Sequence, residues 1–432
     1  MVIVVMFLVL FGLVILGLPV FGAMGLSAMV HYFDLGRDSV MLILAQRTFS
    51  GLTGFTFLAV PMFLLTGELM GRGGLTDRLI DLARSAVGHL TAGLAQVNVL
   101  SSVFFASISG SGQADVAAMG SFFIPAMKKE GYPAGFAAAL TAVSATLSPI
   151  IPPGVIMIVY GAVFGVPISA MFAAGLTIGL FLALVYGGMT YFMCRKMGIP
   201  LHPKATFRER LQALRRATLA MGLPVIVLGG IVGGIVTATE GAAIAVAYSL
   251  FLTMVVYRTV KVKDLISILR DSARTSAAIL ILAGVAISFA YVVARRNIPA
   301  IVASGLLSVT DNRFAIVMLV LLALFVAGMF IGRTANVLMF GPILVPVFVT
   351  QLGFSPVHTG MILIMVLGIG HMTPPVGGTL LTAALVGKVD LMEEIHYVWP
   401  FVIQEFIVTV IVVLIPLLSE GLPRLLGLGG LG

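Results

Sequence analysis

Apolar residues run in stretches long enough to cross a hydrocarbon core from one end of the chain to the other, and no polar stretch between them is long enough to fold as a separate soluble domain. The pattern predicts helices at 2–20, 22–36 and 51–71, then an amphipathic arm at 75–88. Two apolar arms follow, 89–107 and 113–127, on either side of the polar turn SISGSGQAD at 107–115. A helix at 134–165 is interrupted by SPIIPPG at 148–154. Another helix covers 168–193, and it leads into the basic stretch RKMGIPLHPKATFRERLQALRR at 195–216.

A shift of 222 residues superposes several unusual features at once. Pro152-Pro153 falls on Pro374-Pro375, Gly165 on Gly387, Gly131 on Gly353 and Gly110 on Gly332. The second half then reads as helices near 218–236, 240–257 and 276–294, with an amphipathic arm at 298–309. A hairpin at 313–350 carries its tip in GMFIGRTAN (328–336). A broken helix at 356–387 is interrupted at HMTPPVG (371–377), and a last helix covers 390–417. The chain divides accordingly into a first repeat at 1–195, a basic cytoplasmic linker at 196–217 and a second repeat at 218–432. The hairpins occupy 89–127 and 313–350, and the broken helices 134–165 and 356–387.

The arms around each tip are read as re-entrant, dipping to the middle of the bilayer and returning, because they are short and rich in Ser, Gln, Asn and Gly for lipid-facing helices. Each half then makes an odd number of full crossings, so the second half is inverted relative to the first, the plan of secondary transporters. Charge agrees with this topology. Of 25 Lys and Arg, about 18 fall on the side carrying the basic linker and about 6 on the other, which makes the linker side cytoplasmic and both termini periplasmic. The start, MVIVVMFLVL, lacks the basic residues of a signal peptide and is read as the first spanning helix.

Composition narrows the class further. The chain is 60% hydrophobic and only 10% charged, with a mean hydropathy of +1.15, which fits an all-α polytopic membrane protein and no soluble catalytic domain. A single cysteine, Cys194, excludes a disulfide within the chain and a Cys-based metal cluster. No HExxH, Gly-x-Ser-x-Gly or P-loop lysine supports a hydrolase or an ATPase, so the chain is not read as an enzyme. The net charge of +8 is concentrated in the linker, which suits a topogenic segment facing membrane lipids rather than a nucleic-acid site.

Hairpin tips and helix breaks leave backbone N–H and C=O groups without intrahelical partners, at several kcal/mol each in hydrocarbon. Such geometry persists where it lines a cavity or holds a ligand. Free carbonyls with Ser and Thr hydroxyls suit Na⁺. The candidate ligands are Ser107, Ser109, Gly110, Ser148, Gly328, Gly332 and Thr373, largely through backbone carbonyls. The starts of the second hairpin arms, near Gln113 and Ala335, offer positive dipole ends to an anion. Ser109, Ser111, Gln113, Arg333, Thr334, Asn336, Pro152 and Pro374 are the candidates for binding substrate. Arg333 either grips a substrate carboxylate with its fork or pairs with an internal acid such as Asp115. Asn336 either bonds substrate or caps its arm. Glycine at the tips allows close approach and positive φ. Glu68, Glu240 and His371 are read as structural residues.

The chain resembles, along its whole length, the large membrane subunit of tripartite ATP-independent periplasmic (TRAP) transporters, the DctM-like proteins. The residues that carry the likeness are FLAVPMFLLTGELMGRGG (57–74), SISGSG with IPAMKKEGYP after it, SPIIPPGVIMIVYG, GGIVTATEGAA (233–243), GPILVPV (341–347) and TPPVGGTLL (373–381). The resemblance implies an elevator-type transporter of a bacterial inner membrane, driven by Na⁺. It also implies a small four-helix, DctQ-like partner subunit and a periplasmic substrate-binding protein that delivers an organic acid. Hairpins and broken helices would form the moving domain, and the helices within 1–71 and 218–294 the scaffold. Two positions depart from the family pattern. Arg333 follows Gly332 where an acidic residue is frequent, and Thr237-Ala238-Thr239-Glu240 replaces Thr-Pro-Thr-Glu. A stand-alone ion-coupled anion carrier or Na⁺/H⁺ antiporter of the same inverted-repeat superfamily is the alternative reading.

Overall fold

A computed structural model describes residues 1–34, 40–199 and 203–428. The first scaffold helices are α1 (Val2–Ile15), α2 (Val20–Asp34), α3 (Val40–Leu52) and α4 (Ala59–Arg72). The sequence leads to one helix at 51–71, but a break divides this region, because Gly54 takes extended backbone and a 3-10 turn, Phe55–Leu58, separates α3 from α4.

Next come α5 (Leu75–Val87), α6 (Gly93–Ser109), α7 (Gly112–Lys129), α8 (Ala134–Ser144), α9 (Val155–Phe164) and α10 (Ile168–Met197). Helix α5 shows why the amphipathic arm folds as it does. Leu75, Leu79, Ile80 and Ala83 share one face and are buried, while Asp77, Asp81 and Arg84 lie off that face. Arg78 lies over the Tyr257 ring, 3.4 Å from its centroid.

The second half contains α11 (Phe207–Val232), α12 (Ala238–Leu250), α13 (Val262–Arg295) and α14 (Ile298–Val309). It continues with α15 (Arg313–Phe330), α16 (Arg333–Thr350), α17 (Pro356–His371), α18 (Gly378–Gly387), α19 (Leu391–Leu414) and α20 (Leu417–Leu425). Helix α11 starts inside the stretch read as linker because Thr206 and Glu209 form a capping box, each side chain accepting the other's backbone N–H. Helix α13 starts well before the expected 276. Its first turns carry Lys263, Asp264, Arg270, Asp271 and Arg274, so an apolar pattern alone misses them.

Eight helices among the described residues are long and apolar enough to cross a membrane, and no strand is present among those residues. The element boundaries recur along the chain. Shifted by 222 residues, α5 to α10 each start within two residues of α14 to α19, and α3 with α4 covers the length of α13. Both Pro-Pro bonds, Pro152-Pro153 and Pro374-Pro375, are cis.

Few charged groups lie inside the bundle, and small polar bonds hold its helices together. Asn98 on α6 donates to Thr141 Oγ1 on α8 at 2.8 Å, and Gln404 on α19 donates to the Val185 carbonyl of α10 at 2.7 Å. On α4, Arg72 bonds Ser267 and Asp271 of α13 and lies 3.5 Å from Glu68. Glu68 and Glu240 are therefore structural: the first joins this scaffold cluster and the second caps α12 through Thr237.

Candidate functional site

The first tip is built by a left-handed turn. Helix α6 ends at Ser109, Gly110 takes φ +61°, and Ser111 is extended before α7 begins. A Cβ on Gly110 would lie 2.5 Å from the Pro153 carbonyl oxygen, so the tip seats directly on the break between α8 and α9. Asp115, one turn into α7, is fully buried. Ser109 donates to one of its oxygens and Ser148, from the break, to the other. The Ser111 N–H in turn donates to Ser109 Oγ at 3.2 Å.

The second tip is made differently. Ile331 is extended and Gly332 has φ −58°, so this glycine uses no left-handed backbone, and a Cβ there would meet open space. Its fixation comes from Asn336, whose Nδ2 donates to the carbonyls of Ile331 at 2.7 Å and Ala327 at 3.2 Å, closing the end of α15. Gly328 and Gly370 allow α15 to lie backbone to backbone on α17; a Cβ on Gly370 would fall 2.6 Å from Gly328 Cα.

Arg333, the first residue of α16, is 6% exposed, and its Nε and Nη1 have no hydrogen-bond partner. Its fork passes α17 at Gly368, where a Cβ would lie 2.5 Å from Nη2. Pairing of Arg333 with Asp115, one of the two sequence expectations, is not what the structure shows: the hydroxyls of Ser109 and Ser148 occupy that carboxylate.

Both tips and both breaks open on one cavity of about 330 Å³. Gly110, Ser111 and Gln113 line it from the first tip, and Gly332, Arg333 and Thr334 from the second. Pro149 and Val155 contribute from the first break, and His371 and Thr379 from the second. Leu64 of α4 and Thr275, Ile279 and Leu282 of α13 close the far wall. Neither Ser111 nor Gly332 makes a side-chain cap, so the first turns of α7 and α16 present uncapped N–H groups at this wall, a setting that favours an anion. A neighbouring crevice of about 400 Å³, lined by Gly67, Ser109, Ser111 and Ser272, adjoins it through Ser111 and Thr275.

The candidate residues separate into groups. Ser111, Gln113, Arg333 and Thr334 reach the cavity, whereas Ser109, Pro152, Pro374 and Asn336 do not line it, Ser109 facing the neighbouring crevice instead. Pro152 is buried in its break, and Asn336 Nδ2 is committed to α15. Among the sodium candidates, Ser109 and Ser148 converge on Asp115, and Gly110 and Gly332 line the cavity. Ser107 donates to Phe104 O at 2.6 Å, Thr373 to Ile369 O at 2.5 Å, and Gly328 serves the α15–α17 approach.

Asp115 entered the sequence argument only as a possible partner of Arg333, not as a ligand at the first tip. The signal was present, since it is the one acid in SISGSGQAD. With two hydroxyls it makes an all-oxygen donor set which, when the carboxyl is ionised, fits a hard monovalent cation. No cluster of three His, Cys, Asp or Glu that could hold a metal ion is found among the described residues.

Comparison with known proteins adds an independent line. Residues 7–418 match the family model described as tripartite ATP-independent periplasmic transporter, DctM component. The sialic acid TRAP transporter large permease protein SiaM of Vibrio cholerae is 38% identical over 420 residues, covering 97% of this chain and 98% of that one. The C4-dicarboxylate TRAP transporter large permease protein DctM of Pseudomonas aeruginosa is 36% identical, with 94% and 95% covered. The ectoine TRAP transporter large permease protein TeaC of Halomonas elongata is 32% identical, again with 94% and 95% covered. Among solved structures, the YdaH transporter of Alcanivorax borkumensis superposes with a TM-score of 0.63 at 14% identity, covering 90% of each chain, a likeness of fold.

Proposed function

The chain belongs to the DctM component family of tripartite ATP-independent periplasmic transporters, and from that premise we propose that it imports an organic acid across a bacterial inner membrane, driven by Na⁺. It is a transport protein and not an enzyme. In this proposal a periplasmic binding protein delivers the acid and a small membrane subunit completes the assembly. The relatives are named for sialic acid, C4-dicarboxylates and ectoine, all of which carry at least one carboxyl group.

The observation that carries this function is the shared cavity. Its 330 Å³ lies in the size range of small-molecule sites. Arg333 offers a planar fork with unpartnered N–H groups, and the uncapped first turns of α7 and α16 add partial positive charge. Gln113, Thr334 and Ser111 supply neutral hydrogen bonds around that anchor. Asp115, Ser109 and Ser148 hold the cation beside the first tip, which links ion binding to the shape of the same wall.

The recurrent element order supports two related halves, the Lys and Arg bias favours an inverted arrangement with both termini periplasmic, and in this reading the tips and breaks move as an elevator against α4 and α13. Those two helices supply the apolar wall along which such a domain would slide. Each net positive charge carried inward gains about 2.3 kcal/mol per 100 mV, so sodium in excess over cargo charge draws the acid uphill.

The test is uptake of radiolabelled C4-dicarboxylate, sialic acid and ectoine into proteoliposomes holding both membrane subunits, with the cognate binding protein outside. Accumulation is expected only with an inward Na⁺ gradient and only with the binding protein. Uptake of equal size without sodium overturns the ion coupling, and uptake without the binding protein favours a stand-alone carrier.

A further inference from the structure

Outside the cavity lining, on a helix that packs against α17, lies a second buried carboxylate that the transport reading does not use. Glu405 on α19 is fully buried. Its Oε2 accepts from the Tyr186 hydroxyl of α10, and Thr146 Oγ1, from the first break, lies 3.5 Å from the same oxygen and 2.9 Å from the Tyr186 hydroxyl. Its Oε1 has no partner. A carboxylate with one open oxygen, enclosed on every side, is costly unless a positive charge lies near.

Arg333 is the cation that meets this need. Helix α17 packs against both α16 and α19, and Gly368 leaves the notch on α17 through which the guanidinium passes. Both charges are buried with open polar atoms on helices that share α17 as a neighbour, which brings them within electrostatic reach of each other, and His371 lines the cavity beside Arg333. No hydrogen bond joins the two charges, and Nε, Nη1 and Oε1 all remain open. The two charges therefore interact across the interior without a bond that locks them. The repeat-related positions hold nothing comparable. A shift of 222 residues takes Arg333 to Ser111, Glu405 to Ala183, Tyr186 to Val408 and Thr146 to Gly368. The device exists once, at the second tip.

We propose that Glu405 is the resting counter-ion of Arg333, a positioning residue that competes with the cargo carboxylate for the guanidinium and so sets how tightly cargo is held. This rests on the transport reading above, with Arg333 as the carboxylate anchor. With Glu405 in place the empty site is near neutrality, and the arriving carboxylate takes over part of the pairing. On release the internal carboxylate takes it back, so cargo is not trapped on an unbalanced cation.

The experiment uses the complete transporter in proteoliposomes, with KM and maximal rate measured for wild type, Glu405→Gln, Arg333→Gln, the double variant and Tyr186→Phe. Glutamine keeps an acceptor for Tyr186 while removing the charge. Glu405→Gln is expected to lower KM about fivefold or more and to slow maximal uptake, and the same change on the Arg333→Gln background to leave KM unchanged. Tyr186→Phe strips from Glu405 the donor that stabilises its ionised form, weakens its hold on Arg333 and lowers KM in the direction of Glu405→Gln. Equal KM effects of Glu405→Gln on both backgrounds, or an unchanged or raised KM on the wild-type background, overturn the proposal. If Glu405→Gln does not accumulate in the membrane, Tyr186→Phe decides, and an unchanged or raised KM there overturns it. Absence of sodium-dependent uptake by the wild-type complex would instead defeat the transport reading itself.

Discussion

The two tips occupy matched places in the chain and solve their polar problem in opposite ways. At the first, a negative group is enclosed and satisfied: Asp115 takes hydroxyls from Ser109 and Ser148, and Gly110 seats the turn on the neighbouring break. At the second, a positive group is enclosed and left open. Arg333 has unpartnered N–H groups, and the positions matching Ser109, Ser148 and Asp115 are Ile331, Gly370 and Val337. A repeated backbone thus carries two different chemistries, an acidic corner and a basic one. The difference teaches that the repeat supplies geometry, while side chains outside the repeat pattern supply charge.

The largest effect is expected from Asp115→Asn. Removing a buried charge whose two hydroxyl partners are already in place should cut sodium-driven uptake by about a hundredfold or more. Uptake rates against sodium concentration would measure it, and a variant with normal sodium dependence would remove the cation from this corner. Next comes Arg333→Ser, which gives the second tip the residue found at the matched place in the first. It should raise KM by about tenfold to a hundredfold, the worth of a charge-assisted pair, with sodium dependence retained. A KM within twofold of wild type would show that the open guanidinium does not grip cargo.

A smaller loss is expected from Gln113→Ala. This residue reaches the cavity from the first tip as a neutral donor or acceptor, so KM should rise about fivefold. Smallest of all is Asn336→Ala. Because its amide closes α15 rather than facing the cavity, KM should stay within about twofold, with a loss of about 1 kcal/mol in the stability of the tip. Thermal unfolding of the purified protein reads the second number, and a KM rise as large as that of Gln113→Ala would return Asn336 to the binding wall.

Much of this was legible before any coordinates. Repeated Pro-Pro and Gly positions at one spacing located both tips and both breaks, since those residues disturb helices wherever they stand. The arms at 75–88 and 298–309 coincide with α5 and α14 to within a residue at each end, because their boundaries are marked by turn residues. Boundaries without such marks were less legible. The charged first turns of α13 hide a long helix from an apolar pattern, and the break at Gly54 leaves no strong trace in hydropathy.

The sequence by itself determined an all-helical membrane chain with two related halves, and which short segments must leave the helix, because hydrocarbon permits so few ways to satisfy a backbone. Only the tertiary structure decided which side chains share a wall. Asp115 met Ser148 and not Arg333, Pro152 and Asn336 turned away from the cavity, and Glu405 met Tyr186, a residue 219 positions away along the chain. These outcomes depend on how α7, α16, α17 and α19 pack, and packing is fixed by volumes such as those spared at Gly368 and Gly370, which no local pattern along the chain records.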